Sequence, residues 1–409
     1  MDPRQSLSAK GNNFIVVFLF LLFNAYLEIP FVSAGIEVPA FLIVLSFPFL
    51  LIYARNLFSA EDLLIIKFVT IITLLSVFFV PNVNDIGSRF KGFSQFSFSF
   101  IVACVFFKVG LVCGKYNFSR LMFISVFLLF ILTFMERFLG LDKVSDFFRN
   151  SVYVGSYMAY DGDERDLNMV GYIRPKVFTS EPSLLALGFF VFSICAYFSS
   201  KDIRVRFLII LMSVLEFFMV GSPIILLIFV VVFLMGALDR YGYLGVFFVA
   251  TFIFIFGLSG FLSDGVFSRF NTDELSVVYS GSDKQNEKSE RLRMVYPYVS
   301  AIDSIKENPF FGIGIGGKRS LAIYSSFTTE YDIAIGNNAF ATIFAYYGVV
   351  GACLLFASYF LFCVINKINI FFSCIAILIF MQGMGGLETP RCLIFLSLIS
   401  LCGVFYEKK

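Results

Sequence analysis

Apolar residues in this chain fall into long runs with few polar interruptions, not into the alternation of a half-buried strand or the narrow stripe of a surface helix. The runs cover Phe14–Phe31, Val38–Tyr53, Leu63–Val80, Phe93–Cys113 and Leu121–Met135. After a polar break they resume at Ser183–Phe198, Phe207–Val220, Pro223–Leu238 and Leu244–Leu262. After a second, longer polar stretch they close with Asn338–Val364, Ile370–Met384 and Arg391–Phe405. A helix of roughly 20 apolar residues crosses a bilayer, so the pattern predicts an all-α integral membrane protein, a polytopic bundle of about 12 transmembrane helices. The last group opens on a run holding Gly348 and Gly351, where the helix is expected to tilt or break. This divides the chain into residues 1–135 (spans 1 to 5), 136–181 (a first large loop), 182–262 (spans 6 to 9), 263–337 (a second large loop with an amphipathic helix) and 338–409 (spans 10 to 12).

Basic residues orient the bundle. From Arg4 and Lys10, alternate short connections carry Arg55, then Lys115 with Arg120, then Lys201, Arg204 and Arg206, then Arg240, Lys367, and finally Lys408 with Lys409. The positive-inside rule therefore places both termini in the cytoplasm and both large loops outside. The connection 81–92, with Arg89 and Lys91, is an exception. A cleavable signal sequence over the first run, ending near Val32-Ser33-Ala34, is the competing reading; the alternation works with the run retained.

Composition agrees and then subtracts. Of 409 residues, 59% are hydrophobic and 15% charged, against roughly 25% charged in a soluble domain. The chain has 58 Phe but neither His nor Trp. Without histidine there is no Ser-His or Cys-His nucleophile pair, no HExxH zinc site and no histidine general base. Phe and Tyr must supply the aromatic belt. A net charge of +2 gives no reason to expect a nucleic-acid partner. The eight cysteines lie in or beside apolar runs and read as small core residues, without a disulfide framework or metal cluster.

Candidate chemistry gathers in the two loops. The first contains Arg137, Arg149 and Asp161-Gly-Asp163-Glu164, the last read as a solvated turn, and then Arg174-Pro-Lys176-Val-Phe-Thr-Ser-Glu181-Pro182-Ser183. Glu181 precedes a favoured helix-start proline, so its carboxylate stands near a helix N-terminus at the membrane face. It either complements the helix dipole or is an acid–base group; Arg174 is either an exposed loop charge or part of the same rim. In the second loop Leu292, Val295, Val299, Ile302 and Ile305 recur at helical spacing, an amphipathic helix bent at Pro297. Arg291 and Arg293 stand at its start, the wrong end for the macrodipole, and fit either lipid headgroups or a diphosphate. The run Gly312-Ile-Gly314-Ile-Gly316-Gly-Lys318-Arg319 permits close backbone approach or anion-binding turns, without the order of a nucleotide loop. Lys67 and Lys108, inside spans, are expected to snorkel, Lys108 toward Lys115. Glu216 and Glu388, near outer span ends, are the next acidic candidates.

Three segments carry a family resemblance. Asn308-Pro-Phe-Phe-Gly-Ile-Gly-Ile-Gly316, Gly336-Asn337-Asn338-Ala-Phe and Tyr347-Gly-Val-Val-Gly351 resemble the outer-loop and following-helix signature of O-antigen polymerases and ligases; Arg174-Pro-x-x-Phe-x-x-Glu-Pro-Ser183 resembles the segment before a mid-chain span there. The resemblance implies a glycosyltransferase-C-like fold with two large periplasmic loops in a bacterial inner membrane. It also implies an enzyme without metal or cofactor, acting on an undecaprenyl-diphosphate-linked oligosaccharide among membrane lipids, with a chain-length regulator as a possible partner. Arg174, together with Arg291 or Arg293, would bind the diphosphate, and Glu181 would serve as base. Lys176, Lys318, Arg319, Asn337, Asn338, Glu216 and Glu388 would contact substrate. The ligase pattern uses a histidine before the Asn-rich helix start; Gly336-Asn337-Asn338 has none, which favours polymerase. Gly221-Ser222-Pro223 lacks the arginine that many relatives carry at the start of a middle span. A ligase, or a flippase of lipid-linked oligosaccharides, is the alternative.

Overall fold

A computed structural model describes residues 3–33, 36–38, 40–78, 86–153, 166–167, 171–240, 296–316, 338–387 and 389–406. Helices dominate: α1 (Pro3–Leu27), α2 (Phe41–Ala54), α3 (Ala60–Phe78), α4 (Ile86–Phe138), α5 (Asp142–Val152), α6 (Pro182–Ser199), α7 (Ile203–Val220), α8 (Pro223–Arg240), α9 (Tyr296–Glu307), α10 (Ala339–Ile365), α11 (Ile370–Gly383) and α12 (Pro390–Phe405). Among them α4, α6, α8 and α10 are long and apolar enough to cross a membrane, and α11 and α12 are shorter apolar helices. An all-α membrane protein fits these features. The run expected over 244–262 lies outside the described residues. One departure from all-α is a small antiparallel hairpin, β1 (Phe31–Ser33) with β2 (Ile36–Val38), in the connection after α1.

Helix α6 is buried along nearly its whole length and packs between α4 and α12, because no face of Pro182–Ser199 carries a charge. Helix α4 spans 53 residues, which as a straight rod would reach about 80 Å, far beyond a hydrocarbon core of about 30 Å. Gly114, at φ 76 and ψ 161, interrupts it. The chain reverses there: the Phe18 ring of α1 meets both Phe106 at 4.6 Å and Phe118 at 6.2 Å, residues that a straight helix would hold about 18 Å apart. Two limbs, 86–113 and 115–138, therefore run antiparallel.

The second interruption is at Gly348 in α10, with φ 62 and ψ −167. Backbone groups freed inside a membrane must find partners within the protein, and residues 308–316 supply them. Val349 N–H donates to Pro309 O (2.8 Å) and Gly351 N–H to Phe310 O (3.2 Å); in return Ile313 and Gly314 donate to Ala345 O (2.9 Å) and Tyr346 O (3.1 Å). The fit is backbone against backbone, for a Cβ on Gly312 would stand 2.2 Å from Ala345 O. The glycine-rich run is thus built for close approach to α10, and the N–H groups of 312, 313 and 314 serve protein carbonyls, not an anion-binding turn.

We call the end of the bundle that carries residues 139–153 and 171–181 the loop end. At the other end Lys108 does not snorkel toward Lys115. Its ammonium lies 2.6 Å from Asp62, both almost fully buried, and donates to Asn366 (2.9 Å), joining α3, α4 and α10. Lys67 is exposed on α3, as a snorkelling side chain requires. Arg89, counted above as a loop charge, is buried in the first turn of α4 near the carbonyl of Val77, which removes it from the topological count.

Both interrupting glycines occupy backbone conformations that cost other residues about 1–3 kcal/mol. At Gly114 an added Cβ meets nothing, whereas at Gly348 it would stand 2.6 Å from the Gly312 nitrogen. In detergent, Gly348→Ala is expected to lower Tm well beyond Gly114→Ala; equal losses would show that the inserted segment does not hold the break.

Candidate functional site

At the loop end, residues 174–181 form a short rigid track into α6. Two consecutive non-glycine residues there, Val177 (φ 40) and Phe178 (φ 63), are left-handed, a strain that persists only where surroundings impose it. Glu136, in the last turn of α4, imposes it. Its two carboxylate oxygens accept the backbone N–H groups of Lys176 (2.8 Å) and Val177 (2.6 Å), and Ser145 Oγ accepts from Phe178 N–H (3.1 Å). From the other side Tyr26 donates to Val177 O (3.1 Å), and the Tyr153 hydroxyl contacts Leu27 O (2.6 Å) and Phe178 O (3.0 Å). Burial pushes the Tyr153 hydroxyl up to about 12, so it stays a donor across the physiological range.

Arg174 enters this track already matched. Its Nε and Nη2 lie 2.8 and 2.6 Å from Asp166 Oδ1, and Asp166 is fully buried. Lys176 is buried as well. Glu181 is the residue before α6, with extended backbone (φ −151, ψ 155) and Pro182 at the first helical position. Its side chain makes no capping hydrogen bond to α6, so capping is not what occupies the carboxylate.

Two further acidic groups border the track. Glu216, one turn from the end of α7, is fully buried; Thr133 Oγ1 donates to its Oε1 (2.7 Å), and its Oε2 has no partner among the described residues. Glu28 pairs with Arg391 at 3.1 Å (Nη1 to Oε2), and the same guanidinium donates to the carbonyls of Ala25, Tyr26 and Leu27 at 3.0 to 3.2 Å. Arg391, at the start of α12, thereby closes the carbonyl end of α1 with a matching charge.

Asn338 sits elsewhere on this end. It caps α10 by accepting from Ala341 N–H (3.0 Å) and donates to Gln382 (3.1 Å), which also accepts from Tyr298 of α9. Burial raises the Tyr298 hydroxyl above its ordinary value and keeps it a donor. Residues 291–295, where the amphipathic helix is expected to begin, lie outside the described residues, and α9 is described from Tyr296 onward. Arg291, Arg293, Lys318, Arg319, Asn337 and Glu388 lie outside the described residues, as does Asp161-Gly-Asp163.

Sequence reasoning passed over Glu136, Asp166, Tyr153 and Arg391. A signal existed for one pair: Glu28 and Arg391 are opposite charges at span ends that alternation puts on one side. Among the described residues no three His, Cys, Asp or Glu side chains converge as a metal site would need, and all eight cysteines are free thiols. Within the bundle, α3, α4, α10, α11 and α12 enclose a cavity of about 420 Å³ whose wall is largely apolar, including Phe96, Phe100, Phe340, Phe356, Phe362 and Met381.

Glu136→Gln replaces one acceptor with an amide donor facing a buried N–H, a loss of about 1–3 kcal/mol. The expected result is a lower Tm with the protein still folded; an unchanged Tm would show that the left-handed track does not depend on Glu136.

No curated protein matches the chain. Residues 207–356, which take in most of α7, all of α8 and α9 and the greater part of α10, match the family model described as O-antigen ligase, a match consistent with the O-antigen polymerase/ligase superfamily.

Proposed function

We propose that the chain is an O-antigen polymerase of a bacterial inner membrane, with cytoplasmic termini and its loop end in the periplasm. It would have a glycosyltransferase-C-like architecture and use no metal. It lengthens a surface polysaccharide by moving a glycan from undecaprenyl diphosphate onto a second lipid-linked repeat unit. The acceptor hydroxyl oxygen forms a bond to the anomeric carbon, the bond from that carbon to the diphosphate breaks, and the diphosphate departs on its lipid.

One observation carries the reading: Glu181, a half-buried carboxylate not used as a helix cap, ends a track that also holds Arg174 and Lys176. In a chain without histidine, a carboxylate is the group to take the acceptor proton. Cations hold the departing diphosphate, with Arg291 and Arg293 of the second loop joining Arg174. For Arg174 this requires the diphosphate to compete with Asp166. The apolar cavity among α3, α4, α10, α11 and α12 suits a prenyl chain. Lys318, Arg319, Asn337, Glu216 and Glu388 are further contacts in this proposal, and a chain-length regulator is its proposed protein partner. Asn338 acts there through the α10 cap.

The family match supports a ligase equally well; the missing histidine tips the reading to polymerase. Deleting the gene is expected to collapse the lipopolysaccharide ladder to single-repeat chains. Loss of every capped chain would identify a ligase or a flippase instead, and purified protein that moves lipid-linked repeat units without lengthening them would identify a flippase. At normal abundance, Glu181→Gln is expected to slow chain extension about 10²- to 10⁴-fold. A full ladder in each of the Arg174→Ala, Arg291→Ala and Arg293→Ala strains would overturn the diphosphate assignment.

A further inference from the structure

Charged side chains at the loop end are mostly matched with carboxylates: Arg174 with Asp166, Arg149 with Asp146, Arg391 with Glu28. Arg137, in the last turn of α4, is held without one among the described residues. Its Nη1 donates to Met219 O at 2.8 Å, in the last turn of α7. Its guanidinium carbon stands 3.3 Å from the centre of the Tyr172 ring and 5.4 Å from that of Phe138. Tyr172 is fixed in turn by donating to Phe218 O at 2.9 Å. The guanidinium is therefore stacked against an anchored aromatic face, which leaves its in-plane edge for other partners.

A guanidinium has five N–H donors. The carbonyl of Met219 takes one, and no carboxylate among the described residues pairs with the group. Completing the carbonyl end of α7 would explain a single donor and a positive charge, and a lysine could provide both; it does not explain the stacking on Tyr172 or the choice of a planar fork. The neighbours show what approaches it. Phe138 and Phe218, 57% and 65% exposed, and Phe134, Leu139 and Leu215 present apolar surface beside it at the ends of α4 and α7. This is the arrangement of a membrane interface: apolar side chains toward acyl chains, with an aromatic and a cation at headgroup depth.

We propose that Arg137, preset on Tyr172, is a docking site for the anionic phosphate of a membrane-anchored lipid at the α4–α7 rim. The planar fork suits two phosphate oxygens at once, and a rigid stack reduces the ordering that binding would otherwise require. The phosphate belongs either to a bilayer headgroup or to a diphosphate carrier lipid. The headgroup assignment goes beyond the transferase reading, and the carrier-lipid assignment rests on it.

Lipid retention by the purified full-length protein in phosphatidylcholine nanodiscs tests this, with phosphatidylglycerol or undecaprenyl diphosphate as the dopant and native mass spectrometry as the readout. Wild type is expected to enrich the dopant, and Arg137→Ala and Tyr172→Leu to reduce that enrichment about tenfold, in line with the loss of charged hydrogen bonds. Arg137→Lys, which keeps the charge and the α7 contact, is expected to bind more weakly than wild type. Enrichment of both dopants identifies a headgroup site, and enrichment of undecaprenyl diphosphate alone identifies a carrier-lipid site. Wild-type enrichment in Arg137→Ala with unchanged Tm overturns the proposal. Should Arg137→Ala fail to fold, Tyr172→Leu and Arg137→Lys decide it, and full enrichment in both would overturn it equally.

Discussion

Every backbone N–H and C=O that leaves a helix inside a bilayer has to be answered by the protein itself, and this constraint organises the chain. At Gly348 the answer is a second piece of backbone: residues 308–316 enter the break in α10 and exchange hydrogen bonds with its two edges. Where α1 ends, the carbonyls of residues 25–27 are answered by Arg391, whose charge is balanced by Glu28. Where the chain turns left-handed before α6, the exposed N–H groups of Lys176 and Val177 are answered by Glu136. Buried as they are, these groups cannot turn to water. In these three places the irregular segment has its own polar partner, and those partners bring distant parts of the sequence together.

That logic explains what the sequence disclosed and what it withheld. The start of α6 was legible, because an apolar run opening on Pro182 defines a helix N-terminus and places Glu181 just outside it. The weak point in α10 was legible from Gly348, since only glycine adopts that conformation at little cost. What entered the break was not: glycine spacing at 312–316 signals close approach but is silent about whether the approaching surface is a phosphate or a backbone. Lys108 shows the same limit. Its depth follows from position in the run, whereas its pairing with Asp62 depends on how α3 packs against α4, which periodicity does not encode. Glu136 was hidden because a carboxylate at the end of an apolar run looks like an ordinary interfacial charge until the track it holds is seen.

The family match covers only part of the candidate site, and α7 links that part to the rest. The match runs over 207–356, while Arg174, Lys176 and Glu181 precede it. Toward its C-terminal end α7 is tied to the earlier chain by three hydrogen bonds among the described residues: Glu216 accepts from Thr133, Phe218 O accepts from Tyr172, and Met219 O accepts from Arg137. Two of these contacts use carbonyls at the end of α7, which carry partial negative charge from the helix dipole and so favour the cation and the hydroxyl donor placed there. The third is a buried carboxylate with one oxygen unmatched among the described residues. A displacement of α7 along its axis would disturb all three at once, and through Thr133 and Arg137 it would act on the last turns of α4, from which Glu136 sets the 176–178 track. Helix α7 is thus one element through which the family-matched stretch of the chain is joined to the last turns of α4 and to the segment that leads to Glu181.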